Sequence, residues 1–339
     1  MLFNLDTAYS LYSILLRPVE RTLKDKKYLA VVPSGALTSL PFHLLVTDLP
    51  SLPASEIKDL GPYRDAAWLL RRQAVMLLPS VASLKALRSG ARADHGAKPF
   101  IGFGDPLFGS APSSNQRATT RASIDYWAGS WVDRGKLAEA LPRLERHCDR
   151  DQEHRGKARR LKRRHPSRQG RKRDRGPARS ARQLSCGLFR DHGLVAGDVK
   201  GVGEPALALT LPPTPTEADD GLLTASEVAQ LKLNADWVVL SACNTMAGET
   251  PSAEALSGLA RAFFAGTRAL LVSHWTVASD SATRLAIATF DVMTKNPSTG
   301  RAEALRQAML AYMSDRSEEH NANPAYWGSF SVVGQGEAR

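Results

Sequence analysis

With 339 residues and a hydrophobic fraction of 43%, the chain can build one large or two ordinary globular domains. Its three cysteines, Cys148, Cys186 and Cys243, exclude an even disulfide framework and suit a reducing, cytoplasmic compartment. The net charge of +11 is local: residues 143–182 hold 17 Lys/Arg against 5 Asp/Glu, and the remainder holds 28 against 29, which argues against a basic surface spread over the whole fold. In chain order, Ala8, Leu11, Tyr12 and Leu15 line one face of a helix that Pro18 ends. Tyr28 to Val32 is a short apolar strand closed by Pro33-Ser34-Gly35, and Ala74 to Leu78 is a second. Phe100 to Phe103 is a third, turned by Gly104-Asp105-Pro106, and residues 107–135 read as loop.

The second half is more regular. Ala206 to Leu209 is a strand or hairpin, and Thr224 with Glu227 spells a capping box opening a short helix. Trp237 to Leu240 is a buried strand; Leu256, Leu259, Ala260 and Phe263 then make an amphipathic helix ending near Gly266. Ala269 to Ser273 is the next strand, followed by a helix capped by Ser279 with Ala282, Leu285, Ala286 and Phe290 inward. Leu305, Ala308, Met309 and Tyr312 line a further helix, and Phe330 to Val333 is a final strand. Alternating helices and continuously apolar strands predict an α/β fold, a mostly parallel sheet covered by helices on both faces.

The basic block, from Arg143 to Arg182, has almost no apolar residues and no helical or strand period. Three readings stay open for it. It is a solvated disordered loop, since it cannot bury enough surface to offset its ordering entropy. It is a phosphate-binding segment, though no aromatic platform is interleaved. Or it is a frame offset: with synonymous codons and a start one base later, Arg146 to Gly170 can read as an ordinary helix, and Ser185 to Asp191 as a buried strand running into His192-Gly193. As written, Gly187-Leu188-Phe189-Arg190-Asp191 brings two charges into a strand, which costs several kcal/mol unless they reach solvent or pair.

Candidate chemistry collects at strand ends. Cys243 follows the Trp237–Leu240 strand and precedes Asn244, Thr245 and Gly248, a polar loop able to supply backbone donors. By spacing alone it is either a nucleophile, activated by a neighbouring imidazole or helix terminus, or a small buried apolar residue. His192-Gly193 ends the disturbed strand, whereas the competing pair His95-Gly96 precedes one. His274 ends the strand after the cysteine, where packing or a rim role fits, and His43 has no catalytic case. Asp280 either faces a basic peptide side chain or stabilises a helix N-terminus, and Asp219 and Asp220 read as loop residues. Gly102-x-Gly104 lacks the third glycine and opening helix of a phosphate loop. No spacing supports zinc, so no metal or cofactor is expected.

Several linked motifs carry a resemblance. Leu240-Ser241-Ala242-Cys243-Asn244-Thr245, Glu254 to Phe263, and Val272-Ser273-His274-Trp275-Thr276-Val277 resemble the C-terminal core of CHAT domains. Val31 to Phe42 resembles that family's N-terminal signature, and Pro324 to Phe330 its last strand. These are caspase-like cysteine peptidases related to separase, usually attached to TPR repeats. The resemblance spans about residues 5–337, excepting 145–190. It implies a caspase-like fold over 26–339, preceded by an N-terminal helix in 1–25 and interrupted by the basic segment 145–190.

The family's dyad maps to His192, in its His-Gly motif, and to Cys243, in its Ser-Ala-Cys motif. The resemblance therefore implies peptide-bond hydrolysis, with His192 activating the thiol, backbone at Gly193 serving the oxyanion, and Asp280 in the substrate pocket. The expected partners are a protein or peptide substrate and a protein sensed through TPR repeats, which this sequence lacks. Alternatives are a catalytically inactive interaction module of the same fold and a nucleic-acid binder using the basic block. No apolar stretch approaches the roughly 20 residues of a membrane span, and Met1-Leu2-Phe3-Asn4 does not open a secretory signal, so no membrane partner is expected.

Overall fold

The structure, a computed structural model, describes residues 2–50, 59–83, 85, 203–209, 220–231, 233, 235–240, 258–275 and 277–337. It adds the strand backbones of 101–104, 127–128, 131–132, 186–190 and 192–194. The basic block 143–182 and the pair His95-Gly96 lie outside the described residues.

Helix α1 (Leu5–Leu15) starts where the sequence permits: the Asn4 side chain accepts a hydrogen bond from the Thr7 N–H at 2.9 Å, and Asp6 lies in the first turn. Its buried residues Leu5, Ala8 and Tyr12 recur at helical spacing, with Leu11 and Leu15 half-buried beside them. Short helices α2 (Glu20–Leu23), α3 (Gly61–Asp65) and α4 (Leu69–Arg72) flank strands β1 (Tyr28–Val31) and β2 (Ala74–Leu77). Strand β3 (Ile101–Gly104) follows. Residues 107–135, expected as loop, contain two short strands, β4 (Trp127–Ala128) and β5 (Trp131–Val132), paired antiparallel. The hairpin signal was present as Gly129-Ser130 between two apolar pairs.

Strand β6 (Cys186–Arg190) is the stretch whose charges threatened the sheet, yet it pairs in parallel on both edges. Arg190 occupies the last rung, level with Gly104 and one residue beyond the Phe189–Leu240 rung. The charge thus falls at the end of the strand rather than within it. The chain then enters a second, antiparallel sheet of β7 (His192–Leu194), β8 (Ala206–Ala208) and β9 (Leu222–Thr224). Thr224 and Glu227 form the expected reciprocal capping box that opens α5 (Ala225–Gln230).

Strand β10 (Trp237–Leu240), helix α6 (Gly258–Ala265), strand β11 (Ala269–Ser273), helices α7 (Ser279–Lys295), α8 (Arg301–Ser314) and α9 (Pro324–Trp327), and strand β12 (Phe330–Gly334) complete the order. Gly266 follows α6 directly, and Leu233 leaves no room there for a side chain: a Cβ would lie 2.7 Å from the Leu233 Cβ. The cap of α7 falls on Ala278, so Ser279 is the first helical residue instead of the cap.

The main sheet runs β1-β2-β12-β11-β10-β6-β3. Its pairs are parallel except β11 with β12. That seam has a topological cause. A single crossover helix returns the chain to the start of the next strand, giving a parallel pair. Here α7 and α8 pack on each other as a helical hairpin joined through Asn296–Gly300, so β12 enters from the end at which β11 left.

Residues of one strand alternate between two cores. Trp237, Val239, Ala269 and Leu271 face α7 and α8, together with Leu305, Met309 and Trp327. Val238, Leu240, Leu270 and Val272 face α6 through Leu259, Ala260 and Phe263. Both faces are covered, which is why these strands are apolar throughout.

One guanidinium ties the N-terminal half to the end of α8. Arg64 donates to the carbonyls of Met313 (3.2 Å), Asp315 (3.0 Å), Glu318 (3.2 Å) and Glu319 (3.4 Å), some of them groups that a helix end leaves unpaired. Arg64→Ala is expected to cost about 1.5–3 kcal/mol, the range for losing charge-assisted hydrogen bonds. Arg64→Lys should recover only part, because an ammonium lacks the planar fork. Urea midpoints of the three proteins test this; a lysine variant as stable as wild type would refute the fork argument.

Candidate active site

Strands β6, β10 and β11 run parallel and side by side, so their carboxyl ends leave one edge of the sheet together. Phe189 on β6 lies level with Leu240 on β10. His192 follows Phe189 by three residues, and Cys243 follows Leu240 by three. His192 opens β7, where His192, Gly193 and Leu194 pair with Ala208, Leu207 and Ala206. This pairing begins the small second sheet at the point where the chain leaves the main one. Cys243 lies outside the described residues, and His192 and Gly193 are described through their backbone.

The end of β11 carries His274 and Trp275. The His274 N–H donates to the Ser329 carbonyl at 2.8 Å, extending the ladder with β12 by one residue. Its ring Nε2 lies 2.8 Å from the Ser331 hydroxyl, and the Trp275 indole N–H donates to the Ala325 carbonyl at 3.1 Å. On the same C-terminal segment, the buried His43 donates from Nε2 to the Gly328 carbonyl at 2.8 Å. Gly328 has no room for a side chain: a Cβ would lie 2.8 Å from Leu44 Cδ2 and 2.9 Å from the Pro324 carbonyl.

Both imidazoles are held neutral. Burial pushes His43 down to about 4, with the Gly328 carbonyl opposing. Burial and then the neighbouring His43 charge push His274 down to about 3, with the Ser39 backbone opposing. The His274 Nδ1 is enclosed and closes no hydrogen bond of good geometry, although the Ser39 backbone is near enough to favour the charged ring to a lesser extent. Sequence reading found no role for His43, and its one signal was a histidine inside the otherwise apolar Pro41-Phe42-His43-Leu44-Leu45.

Asp280 is exposed in the first turn of α7, where a carboxylate complements the helix dipole. Asp220 makes a turn, its Oδ1 accepting from the Leu222 N–H at 2.8 Å; Asp219 lies outside the described residues. Gly102 and Gly104 belong to β3. Among the described residues, no group of three or more His, Cys, Asp or Glu is placed to hold a metal ion, and no helix is long and apolar enough to cross a membrane.

The CHAT domain family matches residues 5–335, nearly the whole chain. The chain belongs to that family. Its largely parallel sheet, covered by helices on both faces, is the α/β architecture that the sequence predicted. No curated protein matches the sequence. Among solved structures, the chain is similar to the Saccharomyces cerevisiae separase–securin complex at 11% identity and TM-score 0.47, over 97% of this chain and 17% of that one. It is also similar to the Arg-specific cysteine proteinase gingipain R at 14% identity and TM-score 0.31, over 48% and 35% of the two chains. The complex of Porphyromonas gingivalis RgpB pro- and mature domains gives 13% and 0.30, over 47% and 35%. The CHAT chain therefore spans only a minor part of each of these proteins.

Proposed function

We propose that this CHAT domain is a cysteine peptidase in which Cys243 is the nucleophile and His192 the general acid–base. The observation that carries the reading is the rung Phe189–Leu240 of adjacent parallel strands, since His192 and Cys243 each follow their rung residue by three positions in the sequence. Neighbouring strands lie about 4.8 Å apart, so side chains leaving such a pair of ends are within reach of the roughly 3 Å contact that proton transfer needs.

In this reading the imidazole of His192 takes the thiol proton, and the thiolate adds to the scissile carbonyl carbon. The oxyanion is met by backbone donors, Gly193 N–H among them. The imidazolium then protonates the leaving amine as the C–N bond breaks, leaving a thioester on Cys243. Water, deprotonated by His192, hydrolyses that thioester and restores the thiol. Asp280 supplies a carboxylate for a basic side chain of the substrate. The chemistry requires a reduced thiol, which the cytoplasm maintains.

A peptidyl acyloxymethyl ketone with arginine next to its warhead tests the assignment. Intact-mass analysis should find one adduct, at Cys243, absent from Cys243→Ala and slowed in His192→Ala. No adduct, or adducts spread over Cys148 and Cys186, would instead support an inactive interaction module of the same fold.

A further inference from the structure

We propose that His274 is a positioning residue of the peptidase site: tied to Ser331, it holds the turn between β11 and α7, and with it Trp275 and Asp280, beside the strand that delivers Cys243. The proposal rests on the reading of Cys243 as nucleophile. The strand register supports the placement. Val239 lies level with Leu271 in the parallel pair β10–β11, so the carboxyl end of β11 lies beside that of β10.

The turn is fastened at its start by three contacts to one segment. The backbone N–H of His274 holds Ser329, its ring holds Ser331, and the Trp275 indole holds Ala325. His43 grips Gly328 in the same segment and lies close enough to His274 to oppose its charge. The other end of the turn is fixed by α7, whose first turn contains the exposed Asp280. The His274 and Trp275 rings stand 6.3 Å apart, so the orientation of one constrains the other.

A purely packing role does not account for the residue type. An apolar side chain would fill the space without enclosing the polar imidazole Nδ1. Local costs of this kind are typically retained where they orient a site. What His274 provides and leucine cannot is the directed bond to Ser331.

The test compares wild type, His274→Leu and His274→Gln, since glutamine can still donate to Ser331. With a peptide amide carrying a basic residue before the scissile bond, His274→Leu should raise KM about tenfold and leave kcat within about twofold. The rate at which iodoacetamide alkylates Cys243 should not change. Glutamine should restore most of the KM, and amide exchange at 274–278 should accelerate in the leucine variant alone.

A fall in kcat at constant KM, slowed alkylation, or unchanged kinetics in the leucine variant would overturn the proposal. If wild type and Cys243→Ala cleave at the same rate, the peptidase reading itself fails and this role falls with it. The exchange measurement separates the cases by showing whether His274 orders the turn.

Discussion

Replacing Cys243 by alanine is expected to lower kcat/KM for peptide cleavage by about 10⁴-fold or more while the far-ultraviolet circular dichroism stays that of wild type. Alanine keeps a Cβ at the position and removes only the sulfur, so what disappears is the covalent route. Backbone donors and substrate contacts remain and account for the residual rate. His192→Ala should cost a similar factor, because an un-ionised thiol is a weak nucleophile and the leaving amine then lacks its proton donor. The double variant should be little worse than either single one, since groups acting as a unit lose their effect together. Losses that multiply would show that the two residues act independently, contrary to a dyad. Activity retained in Cys243→Ala would remove the peptidase assignment.

Acidification should destabilise the fold through the imidazoles of His43 and His274. His43 has its pKa lowered from 6.5 to about 4 by burial, so between those values the unfolded chain binds a proton that the folded one refuses. Stability therefore rises with pH across this window: the contribution is complete above about 6.5 and is lost as pH falls towards 4. For His43 the loss amounts to about 3 kcal/mol at about 1.4 kcal/mol per unit. His274, lowered to about 3, continues the trend at lower pH. It keeps part of its surface in solvent, which screens some of the effect, so His43 carries the larger share.

His43→Leu should flatten the dependence. The variant also strands the Gly328 carbonyl, so it should be less stable at neutral pH by about 1–3 kcal/mol, yet lose less between pH 6.5 and 4. Urea midpoints taken at half-unit pH steps distinguish this from a general weakening. Parallel pH curves for the two proteins would exclude His43 as the titrating group.

The elements themselves were legible because their signals are local. Trp237–Leu240 and Ala269–Ser273 are strands buried on both faces, and both were continuous apolar runs. The capping box at Thr224 and Glu227 and the inward row Leu305, Ala308, Met309 and Tyr312 needed no partner to be recognised. Where reading by pattern faltered, the deciding quantity was a position within a partner. Arg190 looked damaging inside a strand and instead occupies its last rung. Ser279 had the chemistry of a cap but sits one residue inside the helix.

Of the candidate site, the sequence could name its members but not the register of the strands that precede them. His192 and Cys243 were singled out by motif, and the β6–β10 register that relates their strands depends on a pairing across some fifty residues of chain. The joint grip of His43 and His274 on Gly328–Ser331 was not legible at all: His43 reaches a carbonyl 285 residues away in sequence. By itself, then, the sequence determined the strands, the helices and the family motifs, since periodicity and capping are properties of neighbouring residues. Only the tertiary structure decided the antiparallel seam, the level strand ends and the neighbouring imidazoles of His43 and His274, because hydrogen-bond register and desolvation depend on which distant segments meet.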